Sequence, residues 1–382
     1  MKLIKDYPQG FWEVQDCRFP NKYHALLYAT EINAPVHFKF FNHVWENFDR
    51  KLLGTVSLKE LYRQRAQQLR DKYDYLILYF SGGSDSYNVL RTFLDNGIKV
   101  DEICVKWCST VLDPNKNLYT PNTDDITAYN YLSEWDYAIK PVLDEIAVSN
   151  PEIKIEIVDW LTPWLTKSPA ELFKTVNHWH DIEIPSLAVW SPSETKLVAE
   201  GKTVGSIYGV DKPGVYFGKT EVFMYFTDAC TAMGPPNPCN VYGTEFFYWT
   251  PELPALAFEM AYQTMLCFQN DPELASVKYS DNIREDGPAW QANYQIQQKQ
   301  LRYKLYDNWT DRFQTQKPEK LDRSDKHSWI YSYPAAENYR TIYHKTADSY
   351  LKKIRKDMYK EKNGTKMYRS ISTKGFLISK IG

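Results

Sequence analysis

No stretch of the 382-residue chain approaches the roughly 18 consecutive apolar residues that cross a bilayer. The opening MKLIKDYPQGFWEVQD holds nothing like the apolar core of a secretion signal, which runs for about 7–15 residues. A cytoplasmic protein with no membrane partner is therefore expected. The six cysteines, Cys17, Cys104, Cys108, Cys230, Cys239 and Cys267, form no Cys-x-x-Cys pair and no four-cysteine zinc set. Neither a disulfide scaffold nor a structural zinc is indicated, and reduced thiols are expected. Charge of one sign is also missing: 46 Lys and Arg against 48 Asp and Glu leave a net −2, which does not draw the chain as a whole toward nucleic acid or membrane. No internal repeat of roughly 20–50 residues is present, nor any low-complexity tract.

What is there is ordinary for a globular protein, with 43% hydrophobic and 25% charged residues. The length suits two domains at about 100–200 residues each, or one large domain with an elaborated end. Aromatic residues, at 15%, read first as buried packing surface. From Ile296 onward there are 20 Lys and Arg against 9 Asp and Glu. That segment is either a solvated helical face with a tail, or a patch for a polyanion such as nucleic acid.

Three stretches are distinguished. Residues 1–56 form an aromatic-rich N-terminal segment, in which NKYHALLYATEI is helical by spacing and VHFKFFN strand-like by alternation. Residues 57–250 alternate strand and helix. Ser57-Leu58-Lys59-Glu60 reads as a capping box, with serine hydroxyl and glutamate each satisfying a free amide, so a helix is expected from Leu58 to Lys72. An apolar strand over Tyr75–Phe80, a helix from Asp85 to Asn96 closed by Gly97, and a strand in VDEICVKW follow. Further on come a long helix from Asp124 to about Val148, a strand in IKIEIVDW, a helix starting in TPWLTKSPAELF, another capped by Ser193 and closed by Gly201, and a strand in KTVGSIYGV. This alternation predicts an α/β fold, an open and mostly parallel sheet with helices on both faces. Residues 251–382 read as a basic helical C-terminal region.

The candidate site is the loop Ser81-Gly82-Gly83-Ser84-Asp85-Ser86, placed after a strand and before a helix, where open α/β sheets bind ligands. A helix amino terminus offers free N–H groups and partial positive charge to an anion. Two glycines let the main chain approach phosphate oxygens closely. A Walker loop would need Gly-Lys before Ser or Thr, but no lysine lies between Lys72 and Lys99. A nucleophile elbow, Gly-x-Ser-x-Gly, would make Ser84 the attacking group, with His178, His180, His327 or His344 as base; Ser86 stands where its last glycine should be.

The hexapeptide resembles the Ser-Gly-Gly-x-Asp-Ser signature of the PP-loop ATP pyrophosphatases, the adenine nucleotide alpha-hydrolase-like superfamily, and is nearest to the synthetase domain of the asparagine synthetase type. The resemblance covers about Tyr73 to Trp107, extending in outline to Lys219. It implies a Rossmann-like sheet, ATP and Mg²⁺ as cofactors, and an AMP-forming ligase or transferase that adenylates a small-molecule acceptor, releases pyrophosphate and then transfers nitrogen. On this resemblance Ser81, Gly82, Gly83, Ser84 and Ser86 hold the pyrophosphate portion, Asp85 binds Mg²⁺, and adenine lies against the backbone of Val105, Lys106 and Trp107. The later stretch IYGVDKPGVYFGK offers Asp211 as a second metal ligand and Lys212 as a catalytic ammonium for phosphate, or else a simple Asp-Lys-Pro-Gly turn. Fixed donors and a hard cation are what a departing pyrophosphate needs.

The chain opens Met1-Lys2, so no glutaminase of the asparagine type, with its amino-terminal cysteine, is expected. Sulfur transfer to a nucleotide or nucleic acid is the alternative, with Cys104 and Cys108 or Cys230 and Cys239 as relay pairs. The reductases of the phosphoadenylylsulfate type use a cysteine near the carboxyl end, whereas the last one here is Cys267. A pair of histidines, His178 and His180, could bind a metal or simply sit in a loop. A non-catalytic adenine nucleotide-binding module is the remaining reading.

Overall fold

The computed structural model describes residues 10–107, 135–159, 189–210, 212–218, 220–228, 237–270, 305–306, 345, 348–362 and 365–380. The chain begins with β1 (Phe11–Val14), β2 (Cys17–Phe19), α1 (Lys22–Glu31), β3 (His37–Lys39) and α2 (Asn42–Glu46). The three strands pair antiparallel in the order β2-β1-β3. Asn21 starts α1 by accepting from the His24 amide at 3.2 Å, a polar cap of the expected type. The alternation in VHFKFFN yields a strand of three residues.

The second stretch contains α3 (Leu58–Lys72), β4 (Tyr75–Tyr79), α4 (Ser84–Asp95), β5 (Glu102–Trp107), α5 (Lys140–Ser149), β6 (Lys154–Asp159), α6 (Pro192–Ala199) and β7 (Val204–Tyr208). It continues with β8 (Gly214–Phe217), β9 (Glu221–Tyr225) and β10 (Thr244–Phe246). Five of these strands form one sheet in the order β10-β7-β4-β5-β6, and every neighbouring pair in it is parallel. Strand β4 is central, and Leu76, Ile77 and Leu78 are fully buried. Each contributes about 1.5–3 kcal/mol by leaving water. Alternate side chains serve opposite faces. Leu76, Leu78 and Phe80 join Val89, Leu90 and Phe93 of α4 on one side; Ile77 and Tyr79 join Cys104 and Val204 beneath Leu197 and Val198 of α6 on the other. The sheet is thus covered by helices on both faces, which is why its central strand β4 reads as a nearly continuous apolar run.

Two caps differ from expectation. Ser57 does accept from the Glu60 amide at 3.2 Å, but the Glu60 carboxylate holds Arg63 at 2.7 Å and Gln64 at 2.9 Å one turn along, rather than closing the box. A guanidinium is the stronger partner for an exposed carboxylate, and it lowers Glu60 to about 2. In SPSETKLVAEG the cap is Ser191, which accepts from the Ser193 amide, and not Ser193 itself. The proline after Ser191 is suited to the first helical position, which moves the start upstream.

The expected helical C-terminal region is helical only in part. It opens with α7 (Pro254–Asn270), but its end folds as β11 (Tyr359–Lys362), β12 (Thr365–Tyr368) and β13 (Phe376–Lys380). The first two make a hairpin, and β13 pairs antiparallel with β9 in a sheet ordered β13-β9-β8. The reason lies in FLISK, where Phe376 and Ile378 are buried and alternate with more exposed neighbours, a period of two. Side chains from all three stretches meet in one buried cluster that includes Trp12, Phe40 and Trp45, Phe226 and Trp249, and Phe258 and Phe376. Lys22 and Asp228 form a fully buried ion pair at 2.7 Å. Its ammonium also donates to the Arg369 carbonyl at 2.7 Å. Among the described residues no helix is long and apolar enough to cross a membrane.

Candidate functional site

In the five-stranded sheet the connection from β4 runs through α4 to β5, whereas β7 lies on the opposite side of β4 and leads outward to β10. The direction of winding therefore reverses between β4 and β7, and a crevice opens beyond the carboxyl ends of strands at such a point. Residues 81–86 leave β4 into this crevice, and residues 209 and 210 leave β7 toward it, with Lys212 described beyond them.

Local chemistry explains the loop. Gly82 has φ +74°, and a Cβ there would stand 2.6 Å from Cγ1 of Ile139. Only glycine fits. The Gly83 amide donates to Ser81 Oγ at 3.3 Å, the Ser81 amide donates to Ser86 Oγ at 3.2 Å, and Ser86 Oγ donates to the Gly83 carbonyl at 3.1 Å. Ser86, 3% exposed, is therefore a brace inside the turn. Gly83 occupies the N-cap of α4 and supplies no side-chain cap bond, so the first amides of this helix are not covered by their own cap. Gly209 explains how β7 reaches the same place. A Cβ on it would lie 3.0 Å from the Ser86 main chain, and this close approach is a recognised use of glycine at a strand end.

Three residues later Lys212 turns its ammonium onto Asp85, 2.7 Å from Oδ1. Tyr306 donates to the same oxygen and accepts from Lys212 at 2.9 Å. Tyr248 donates to the Asp85 carbonyl at 2.7 Å and is itself held by Asn88 at 3.1 Å. Burial, reinforced by the nearby Asp85 carboxylate, raises the pKa of both phenols well above the ordinary value, so each remains a proton donor. The Lys212 ammonium also lies 5.3 Å from the Tyr306 ring centre and 6.0 Å from that of Tyr248, within cation–π range.

The structure thus brings Asp85 and Lys212 together beside Ser81, Gly82, Gly83, Ser84 and Ser86. Asp211 lies outside the described residues. Val105 and Trp107 are 1% exposed, with Trp107 against Trp135 at 5.5 Å; their side chains are core. Lys106 faces the other side of the sheet, its ammonium 4.4 Å over Tyr79 and 5.1 Å from the Tyr208 ring, which stack on each other. Pairing of β5 with β4 ends at Cys104, while pairing with β6 continues to Trp107. The backbone of residues 105–107 consequently projects past β4 beside the loop.

The competing chemistries fare less well on this geometry. Ser84 is the first residue of a regular helix, and positive φ among described non-glycine residues occurs only at Gln15, Asn33 and Phe41. The strained turn that aims a nucleophilic serine is not adopted. Cys104 is fully buried and burial pushes its thiol well up, the opposite of an activated thiolate. Cys108, Cys230, His178, His180, His327 and His344 lie outside the described residues. Among those described, no group of three or more His, Cys, Asp and Glu is placed to hold a metal.

Tyr306, Tyr248, Asn88 and Gly209 belong to the site but were not anticipated. Gly209 had a signal, a glycine directly after an apolar run. Asn88 and Thr92 had another, polar residues one turn apart on the buried face of α4. Tyr306 had none, since its surroundings read only as part of the basic helical C-terminal region. Comparison with family models, with curated proteins and with solved structures finds no match to the chain.

Proposed function

We propose that this protein binds ATP with its polyphosphate on the Ser81–Ser86 turn and cleaves it between the alpha and beta phosphates, adenylating a small-molecule acceptor and then transferring nitrogen to it. The observation that carries this reading is the meeting of Asp85 and Lys212 at the uncapped head of α4, in the crevice where the sheet reverses its winding. Counted within the sheet, the strand order is 3-2-1-4-5, which supports a doubly wound, Rossmann-like sheet of the adenine nucleotide alpha-hydrolase kind. A cytoplasmic setting agrees with ATP as the substrate.

Each group has a task. The amides of the turn and the α4 dipole bind the beta and gamma phosphates. Lys212, on the same wall, neutralises charge that builds on the leaving pyrophosphate. Ser86 and Ser81 keep the turn in shape, and Tyr248 anchors the Asp85 main chain. On this reading main-chain groups of residues 105–107, which project past β4, hold the adenine. Asp85 fits a magnesium ion: it is a hard oxygen donor, and its Oδ1 already accepts one cation, the Lys212 ammonium. Bound with the phosphates, Mg²⁺ supplies charge neutralisation on the oxygens of the breaking bond. The remaining ligands would be phosphate oxygens and water, the usual arrangement for this ion, with Asp211 the second carboxylate the sequence offers.

Pyrophosphate release tests the reading. Incubation with ATP, Mg²⁺ and a panel of carboxylate and amine acceptors should yield AMP and pyrophosphate in equal amounts. Formation of ADP and phosphate would overturn it, and tight ATP binding without turnover on any acceptor would favour a nucleotide-binding module.

A further inference from the structure

Asp85 Oδ1 accepts from two donors at once, the Lys212 ammonium at 2.7 Å and the Tyr306 hydroxyl. These two donors are also bonded to each other at 2.9 Å, so the three groups close a triangle. The Asp85 and Lys212 side chains are 21% and 16% exposed and Tyr306 only 2%, which leaves them partly screened from water at best. Tyr306 is fixed from behind, because Tyr62 of α3 donates to the neighbouring Leu305 carbonyl at 2.8 Å. From these contacts we propose that Tyr306 is a positioning residue which holds Lys212 on Asp85 as a resident cation, so that divalent metal and polyphosphate enter this site only together. The proposal rests on the polyphosphate reading given above.

The physical reason is competition for one oxygen. A divalent ion reaching Asp85 would meet an ammonium already seated there, and like charges on one carboxylate oppose each other at short range. Lys212 has to leave first. Its other described neighbours, two phenol rings and one hydroxyl, offer no compensating negative charge. A phosphate chain does offer it, at the adjacent turn. As Lys212 swings to the phosphates, Asp85 is released to the metal, and each ligand favours the other by the same factor, since coupling between two bound species is reciprocal. Tyr306 sets the strength of this coupling by donating to the carboxylate while accepting from the ammonium, which stabilises the closed pair.

The test uses Mn²⁺ alone as the probe, followed through the paramagnetic resonance signal of the free ion, with full-length wild type, Tyr306→Phe, Lys212→Met and the double variant Lys212→Met/Asp85→Asn. Without nucleotide, Lys212→Met should bind Mn²⁺ about tenfold or more tighter than wild type, within the usual range of such couplings. Tyr306→Phe should fall between the two, and the double variant should return to the wild-type value or below. Circular dichroism melting confirms that each variant is folded, and Tyr306→Phe, which keeps the ring, serves if Lys212→Met does not fold. Equal Mn²⁺ affinity in wild type, Tyr306→Phe and Lys212→Met overturns the proposal, whether all bind or none does. Calorimetry with pyrophosphate in the presence of Mg²⁺ separates the two layers. Pyrophosphate binding with no difference in Mn²⁺ affinity leaves the function standing and removes the resident-cation role. The expected Mn²⁺ pattern with no pyrophosphate binding removes the polyphosphate reading instead.

Discussion

The ammonium of Lys212 stands 2.7 Å from Oδ1 of Asp85, a residue 127 positions earlier in the chain. Two strand ends and one helix head have to be correctly placed for this contact to form. Asp85→Ala should abolish pyrophosphate release, as measured by a coupled phosphate assay. Its melting midpoint should fall modestly, because a carboxylate only 21% exposed that holds both Lys212 and Tyr306 contributes about 1–3 kcal/mol. Turnover that survives the change would remove Asp85 from the chemistry.

Gly82→Ala attacks the shape of the turn. At φ +74° with Ile139 2.6 Å from the new Cβ, the side chain is both strained and crowded, and a loss of about 1–3 kcal/mol is expected. Urea unfolding would measure it. ATP affinity should fall as well, since the amides of residues 82–84 no longer converge.

Glu245 gives a pH dependence. It is buried on β10 between Arg65 and Lys72, each at 2.7 Å, and accepts from Tyr73 at 2.5 Å. Burial alone would raise its carboxyl, but the Arg65 and Lys72 charges overcome this and leave it below the ordinary 4.5. A carboxylate with a depressed folded value stabilises the native state above its unfolded value and loses that contribution as pH falls through the folded one. Wild-type stability should therefore decline as pH drops below about 4.5. Glu245→Gln should be less stable by about 3 kcal/mol at neutral pH, because Arg65 keeps a buried charge without its partner. Its stability should also vary less with pH across the acid range, as calorimetric melting would show.

How much of this was legible in the sequence depends on the distance over which each feature is specified. Ser57 capping α3, the apolar run of β4 and the stripe on α4 are local, and the sequence reveals them directly. The Asp85–Lys212 contact was legible one step further, because residues following parallel strands share one sheet edge. Tyr306 reaches Asp85 across 221 residues, and no local pattern encodes that. The strands at the chain's end were hidden for a related reason: Phe376–Lys380 takes its partner from β9, far upstream in the chain. Ser191 in place of Ser193 is a local misreading of two candidate caps, decided by Pro192.

The buried pair of Lys22 and Asp228 belongs to the illegible part and ties the first stretch to the second, with hydrogen bonds joining both residues to the third. Asp228 also accepts from Trp12 Nε1 at 2.9 Å and from the Ile371 amide at 2.9 Å. Lys22→Ala should cost about 3–5 kcal/mol, because it strands a fully buried carboxylate. The double change Lys22→Met/Asp228→Leu should recover part of that loss. Denaturant midpoints of the three proteins would show whether the ion pair or its packing holds this junction.

The central claim is that the amides heading α4 grip the far end of a nucleotide triphosphate. A crystal structure of the protein with a non-hydrolysable ATP analogue and Mg²⁺ tests it most directly. The account predicts beta and gamma phosphates on the Ser81–Ser86 turn, Lys212 moved from Asp85 to a phosphate oxygen, and adenine beside residues 105–107. An analogue bound elsewhere, or a turn still closed on its own serines with Lys212 on Asp85 at saturating ligand, would contradict it.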